Sequence, residues 1–183
     1  FTPEQVNELA ASHRVIPLIE TLFSGTETPM SIFEKLAADK PGSFLLESAQ
    51  HGVWARYSFI GVNNRGLLTQ DSNGEVKWTS ASSQSPLADG SFQLPSSALD
   101  AVEQIQRSWT SISVGELPPL TSGLVGLMGW DLIREIESLP ASSAKDFPSP
   151  ILALAMFRDL VIVDHETNCV LLVSNIFAAD GED

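Results

Sequence analysis

Apolar and polar positions along this chain switch between a helical and an alternating rhythm, and the switches outline its elements. Val6, Leu9 and Ala10 recur at helical spacing behind Thr2 and Pro3, a cap residue and a proline at the first helical position, which predicts a short helix over 2–12. Val15 to Phe23 is apolar and β-branched, a strand near 15–22, and Pro17 makes it an edge strand because proline cannot donate to a ladder. Thr28-Pro29 then opens a helix near 29–39 with Met30, Phe33, Leu36 and Ala37 on one stripe, closed by Lys40-Pro41-Gly42. Phe44-Leu45-Leu46, bounded by Pro41-Gly42 and His51-Gly52, predicts a buried strand near 43–48.

Further strands are expected near 56–61, 66–70 and 75–79, the last two joined through Asp71-Ser72-Asn73-Gly74. Asn-Gly supplies the positive backbone angles of a tight hairpin turn. Residues 80–97 are rich in Ser, Pro, Gly and Gln and read as an exposed loop. Ser96 or Ser97 caps a helix near 98–109 with Leu99, Val102, Ile105 and Trp109 on its apolar face. Residues 110–121, with Pro118-Pro119, form a loop. Glycines at 123, 126 and 129 lie inside an apolar run, a strand near 122–128 that another backbone or a ring must approach closely. The run has neither the Gly-x-Gly-x-x-Gly nor the Gly-Lys-Ser/Thr context of a phosphate loop. A short helix near 130–137 should turn Leu132, Ile133 and Ile136 inward. Long strands near 151–163 and 169–177 close the pattern, joined through His165-Glu166-Thr167-Asn168. The expected class is α+β, mainly antiparallel sheets flanked by helices, in one domain over 1–183.

Composition narrows the function. A hydrophobic fraction of 43% and a charged fraction of 18% over 183 residues belong to a globular chain with a proper core. With 23 acidic against 10 basic residues, the net charge of −13 disfavours nucleic acid and anionic membrane surfaces. No apolar run reaches the roughly 20 residues of a membrane span, and no signal-peptide pattern stands at the start, so a cytoplasmic location is expected. The single cysteine, Cys169, excludes an internal disulfide; in its apolar run it reads as a buried, inert thiol. Three histidines (His13, His51 and His165) stand singly, without the spacing of a metal site, and no Ser or Cys is paired with a plausible base. Asp131 reads as a helix N-terminal anion and Glu137 as part of a solvated face.

Candidate chemistry concentrates at Leu46-Glu47-Ser48 and at Arg56, which heads the following strand. A carboxylate, a hydroxyl and a guanidinium at neighbouring strand ends would make a small polar site on an apolar floor, suited to a zwitterionic ligand. A solvated strand-end Glu with a weak surface partner, contributing at most about 1 kcal/mol, accounts for the same residues.

Leu45-Leu46-Glu47-Ser48, then Arg56-Tyr57-Ser58-Phe59-Ile60-Gly61, resembles the amino-terminal domain of the chorismate-utilising family, that of anthranilate synthase component I and its para-aminobenzoate synthase relatives. The run from Gly123 to Asp131, followed by Arg134, Glu137 and Leu139-Pro140, is similar to that domain's second signature, and Asp159 to His165 is family-like too. Leu127-Met128 and Trp130 stand where an aromatic and a Tyr are more usual.

The resemblance implies a regulatory and structural amino-terminal domain, with chorismate and magnesium held by a carboxy-terminal catalytic domain that this chain lacks. No cofactor is expected in the chain itself, which starts without Met and is expected to be an inert piece of something larger. Leu46, Glu47 and Ser48 would line part of a tryptophan feedback site, Leu46 near the indole, Glu47 balancing the ammonium and Ser48 against the ligand; Arg56 is a further candidate on its charge. Implied partners are L-tryptophan, a glutamine amidotransferase component II and the catalytic domain. Para-aminobenzoate synthase component I, making aminodeoxychorismate, and a free-standing amino-acid-binding module remain alternatives, with Leu-Glu-Ser and the downstream Arg favouring the anthranilate branch. A piece cut from a larger sheet would expose an edge, so self-association into a homo-oligomer is also expected.

Overall fold

The computed structural model describes residues 2–47, 56–81, 93–109, 111–112, 117–140 and 149–178. Helix α1 (Pro3–Ala10) starts on a capping box in which Thr2 and Gln5 satisfy each other's backbone amides. Strand β1 (Val15–Phe23) leads to α2 (Pro29–Leu36), which Thr28 caps through the Ser31 amide. Then come β2 (Phe44–Leu46), β3 (Tyr57–Gln70), β4 (Val76–Ser80), α3 (Ala98–Ser108, capped by Ser97) and β5 (Leu124–Met128). A 3-10 helix (Trp130–Glu135), β6 (Leu152–Asp164) and β7 (Cys169–Phe177) complete the chain. The α+β, mainly antiparallel architecture expected from the sequence is the one observed.

All seven strands form one antiparallel sheet, with β1-β7-β6-β3-β2 as its main path. β3 and β6 are its spine. β6 pairs β3 along its whole length, while its other side is taken by β5 over 152–156 and by β7 over 159–164. The two hairpins read from the sequence, β3–β4 through Gly74 (φ +84°) and β6–β7 through Asn168 (φ +55°), are both present.

Four expectations need correction. The strands read separately near 56–61 and 66–70 are one strand: β3 runs through Val62-Asn63-Asn64-Arg65, because register shifts between Gly61 and Gly66 absorb the irregular stretch while β6 keeps pairing beside it. The helix at 130 is a 3-10 helix, in which residues three apart share a column. Leu132 is buried and Ile133 half-buried, while Ile136, expected inward, lies 71% exposed in the column of Trp130, and Glu135, in the column of Leu132, is exposed. On α3 the fully buried positions are Ala98, Ala101 and Ile105, with Leu99 and Val102 at the margin of the core. Cys169 is also only half-buried, its thiol 3.6 Å from the Thr167 carbonyl.

Packing divides into three clusters. α3 sits on Leu68, Leu152, Leu154, Met156 and Phe177, where Trp109 meets Trp78 and Phe177 ring to ring. α2 brings Ile32 against Ile60, Val62, Val161, Val163 and Val170. A third cluster, Phe157, Leu160, Ile162 and Val173, lies with Phe44, Tyr57, Phe59 and Leu171 around it.

Candidate functional site

The candidate residues lie where β2 leaves the sheet. Register places Leu46 beside Phe59, Phe59 beside Ile162, and Ile162 beside Leu171, a row across four strands on one face. Ile162 is fully buried in that row, while Leu46 at its edge is 45% exposed. Leu45 points to the opposite face, against the α2 cluster. Glu47 follows directly and is exposed; Ser48 lies outside the described residues. The apolar floor is fixed one position earlier. The Phe44 ring packs edge-on to Phe157 at 5.6 Å and crosses Gly61 so closely that a Cβ there would stand 2.2 Å from it. Gly61, which closes the Arg56–Gly61 stretch, is therefore explained by the aromatic ring it admits.

Arg56 is held by partners the sequence did not suggest. Its Nε and Nη2 donate to Asp164 Oδ1 and Oδ2 at 3.0 and 2.6 Å, its Nη1 stands 3.1 Å from Glu166 Oε2, and its guanidinium lies 4.9 Å from the Tyr57 ring centroid. Asp164 Oδ1 also accepts from the Glu166 amide at 3.0 Å and the Thr167 amide at 3.4 Å. The Arg56 bond lowers the Asp164 pKa to about 2 against the opposing effect of burial, and the same bond raises that of Arg56. The Arg56 carbonyl accepts from the His165 amide at 2.8 Å, and Ser58 Oγ meets His165 Nε2 at 2.8 Å. Arg56 thus fastens the start of β3 to the β6–β7 turn, its charge balanced by two carboxylates.

The structure brings Leu46, Glu47 and this polar frame to one end of the sheet. Asp164 and His165, which frame that end, close a strand that the sequence marked as family-like without giving them a role. A groove of about 500 Å³ lies elsewhere, beside α2, lined by Leu18, Leu36, Val62, Val161 and Leu172; neither Leu46 nor Glu47 lines it. A second carboxylate missed by the sequence reading is Glu135. It accepts from Ala98 N (3.0 Å), Leu99 N (3.1 Å), Ser97 Oγ (2.9 Å) and Gln70 Nε2 (2.8 Å), tying the 3-10 helix to the start of α3. Burial raises its pKa, but these donors outweigh burial and hold it below the ordinary glutamate value.

No family model matches the chain. Its relatives agree with one another. Anthranilate synthase component 1 of Mycolicibacterium smegmatis is 37% identical over 181 residues, covering 98% of this chain and 33% of the relative. This chain is a relative of anthranilate synthase component 1. The Mycobacterium tuberculosis component 1 is 35% identical over 98% of the chain and 34% of its own length, and that of Arthrobacter globiformis is 36% identical over 97% and 32%. The chain therefore spans about a third of the length of the relatives it matches. A crystal structure of anthranilate synthase component I from Streptococcus pneumoniae shares the fold, with a TM-score of 0.55 at 15% identity, over 90% of this chain and 33% of that one.

Among the described residues no group of three or more His, Cys, Asp or Glu converges to hold a metal ion. Among them, too, no helix is long and apolar enough to cross a membrane.

Proposed function

We propose that this chain serves as the amino-terminal part of the large component of anthranilate synthase, which converts chorismate and glutamine-derived ammonia to anthranilate and pyruvate at the start of tryptophan synthesis. The observation that carries the reading is 35–37% identity to component 1 proteins over 98% of the chain. In this reading the chain performs no chemistry alone. The rest of the polypeptide holds chorismate and magnesium, and a glutamine amidotransferase supplies the ammonia.

Its own contribution is half of a tryptophan site. Leu46, half-exposed at the end of a buried apolar row, offers a surface for the indole. Glu47 balances the ammonium from its exposed place beyond β2, and Ser48 lies against the ligand. Arg56 acts by holding the frame through Asp164 and Glu166. Tryptophan bridging two parts of the polypeptide shifts the enzyme by its differential affinity for two arrangements, a coupling of about 1–3 kcal/mol or roughly 5–150-fold.

The test uses the full-length protein with chorismate, ammonia and magnesium, with and without tryptophan, and its Ser48→Phe variant. Anthranilate formation suppressed by tryptophan, with suppression lost and turnover kept in the variant, is expected. Aminodeoxychorismate as product would place the chain in the para-aminobenzoate branch. Unchanged tryptophan sensitivity in Ser48→Phe would remove Ser48 from the site.

A further inference from the structure

Four strands of the sheet, β1, β2, β4 and β5, are bonded to a neighbouring strand on one side only among the described residues. An open ladder of N–H and C=O groups invites pairing, and proteins blunt such edges with proline, charge or brevity. Three of the four are blunted. β1 carries Pro17 and Glu20, and Ser111 already bridges Val15 at its start. β2 is three residues long, and β4 carries Lys77, 60% exposed. β5 has none of these devices: Leu124-Val125-Gly126-Leu127-Met128 contains neither a charge nor a proline.

Side-chain exposure along β5 supports an open edge. Leu127 and Met128 are successive residues and so belong to opposite faces of the strand, yet they are 51% and 52% exposed. Trp130 (86%), Ile136 (71%) and Leu139 (41%) extend the exposed apolar stretch beyond the strand. A helix laid on one face would cover one of Leu127 and Met128 and leave the ladder open. An added strand covers both and pairs the backbone. The side of β5 facing β6 is already filled, since a Cβ at Gly126 would stand 2.0 Å from the Ala153 carbonyl oxygen.

We infer that β5 is a docking edge, and that its occupant is a strand from the remaining two thirds of the component 1 polypeptide, so that one sheet continues from this domain into the catalytic part. The inference rests on the reading of the chain as a piece of component 1, whose relatives are about three times its matched length. The sheet edge then carries the contact between the two parts, and its apolar sequence is the mark of a permanently paired strand.

The experiment is hydrogen exchange on the full-length protein, with acrylamide quenching of Trp130 in a protein whose other tryptophans are replaced by Phe. Slow exchange of the β5 amides that face away from β6, a Trp130 shielded from acrylamide, and loss of both in Leu127→Lys are expected. Free-edge exchange at 124–128 with an accessible Trp130, in a protein that still forms anthranilate, overturns the inference and leaves the functional reading standing. Absence of anthranilate formation speaks against the functional reading, whatever the exchange pattern. Protection that rises with protein concentration assigns the edge to a second copy and also overturns the inference.

Discussion

Replacing Asp164 by Asn removes one charge from the clamp at the head of β3 and leaves the turn its acceptor, since Asn Oδ1 can still take the Glu166 and Thr167 amides that Oδ1 of Asp164 takes now. The Asp164 side chain is 6% exposed, and its pKa falls from 3.8 to about 2. At about 1.4 kcal/mol per unit of pKa, that drop corresponds to about 2–3 kcal/mol of folding stability. The Arg56 side chain is 39% exposed, so solvent screens the pair, and about 1–2 kcal/mol is the expected cost of the variant at pH 6. The sign follows from the lowered folded-state value. The contribution is complete above the unfolded pKa of 3.8 and is lost as pH falls through about 2. By pH 2.5 the difference between the two proteins should shrink to about a third of its value at pH 6. Urea unfolding at both pH values, followed by tryptophan fluorescence, measures it. A difference below about 0.3 kcal/mol at pH 6, or one that does not change with pH, refutes the account of Arg56 as a charge-dependent clamp.

Glu135→Ala should cost about 1–2 kcal/mol, because three donors at the start of α3 and Gln70 lose an ionised acceptor at a solvent-facing site. Faster hydrogen exchange at Ala98 and Leu99 than elsewhere in α3 locates the loss, and unchanged exchange there speaks against the cap. Gly126→Ala should lower stability by about 1–3 kcal/mol, since the new methyl meets backbone rather than a yielding side chain. Denaturant midpoints read the effect, and a variant as stable as the parent shows that β5 shifts freely on β6.

How much was legible depended on how far apart the interacting residues lie. The starts of α1, α2 and α3 are legible in Thr2, Thr28 and the pair Ser96 or Ser97, of which Ser97 is the cap, because a cap is satisfied within three residues of itself. The β3–β4 and β6–β7 hairpins were read from turn chemistry, and Pro17 placed β1 at an edge. The strand reading near 43–48 also placed Leu46 at the end of β2 and Glu47 just beyond it. Arg56 was read as a candidate ligand contact. Its bond to Asp164 spans 108 residues, and no local signal names so distant a partner.

Along 130–136 the apolar pattern reads as a helix with Leu132, Ile133 and Ile136 inward, whereas the chain follows the three-residue period of a 3-10 helix. At the end of that 3-10 helix the Glu135 carboxylate accepts from Ala98 N and Gln70 Nε2, partners far away in the chain that no local pattern names. Residues 62–65 look like a break in any local window, but β6 pairs on both sides of them and carries β3 through. By itself the sequence determined most of the elements, their caps and turns, and the family, because those depend on neighbours in the chain. The tertiary structure decided the strand order, the clamp at Arg56 and the open edge at β5, because each depends on which distant strand arrives alongside.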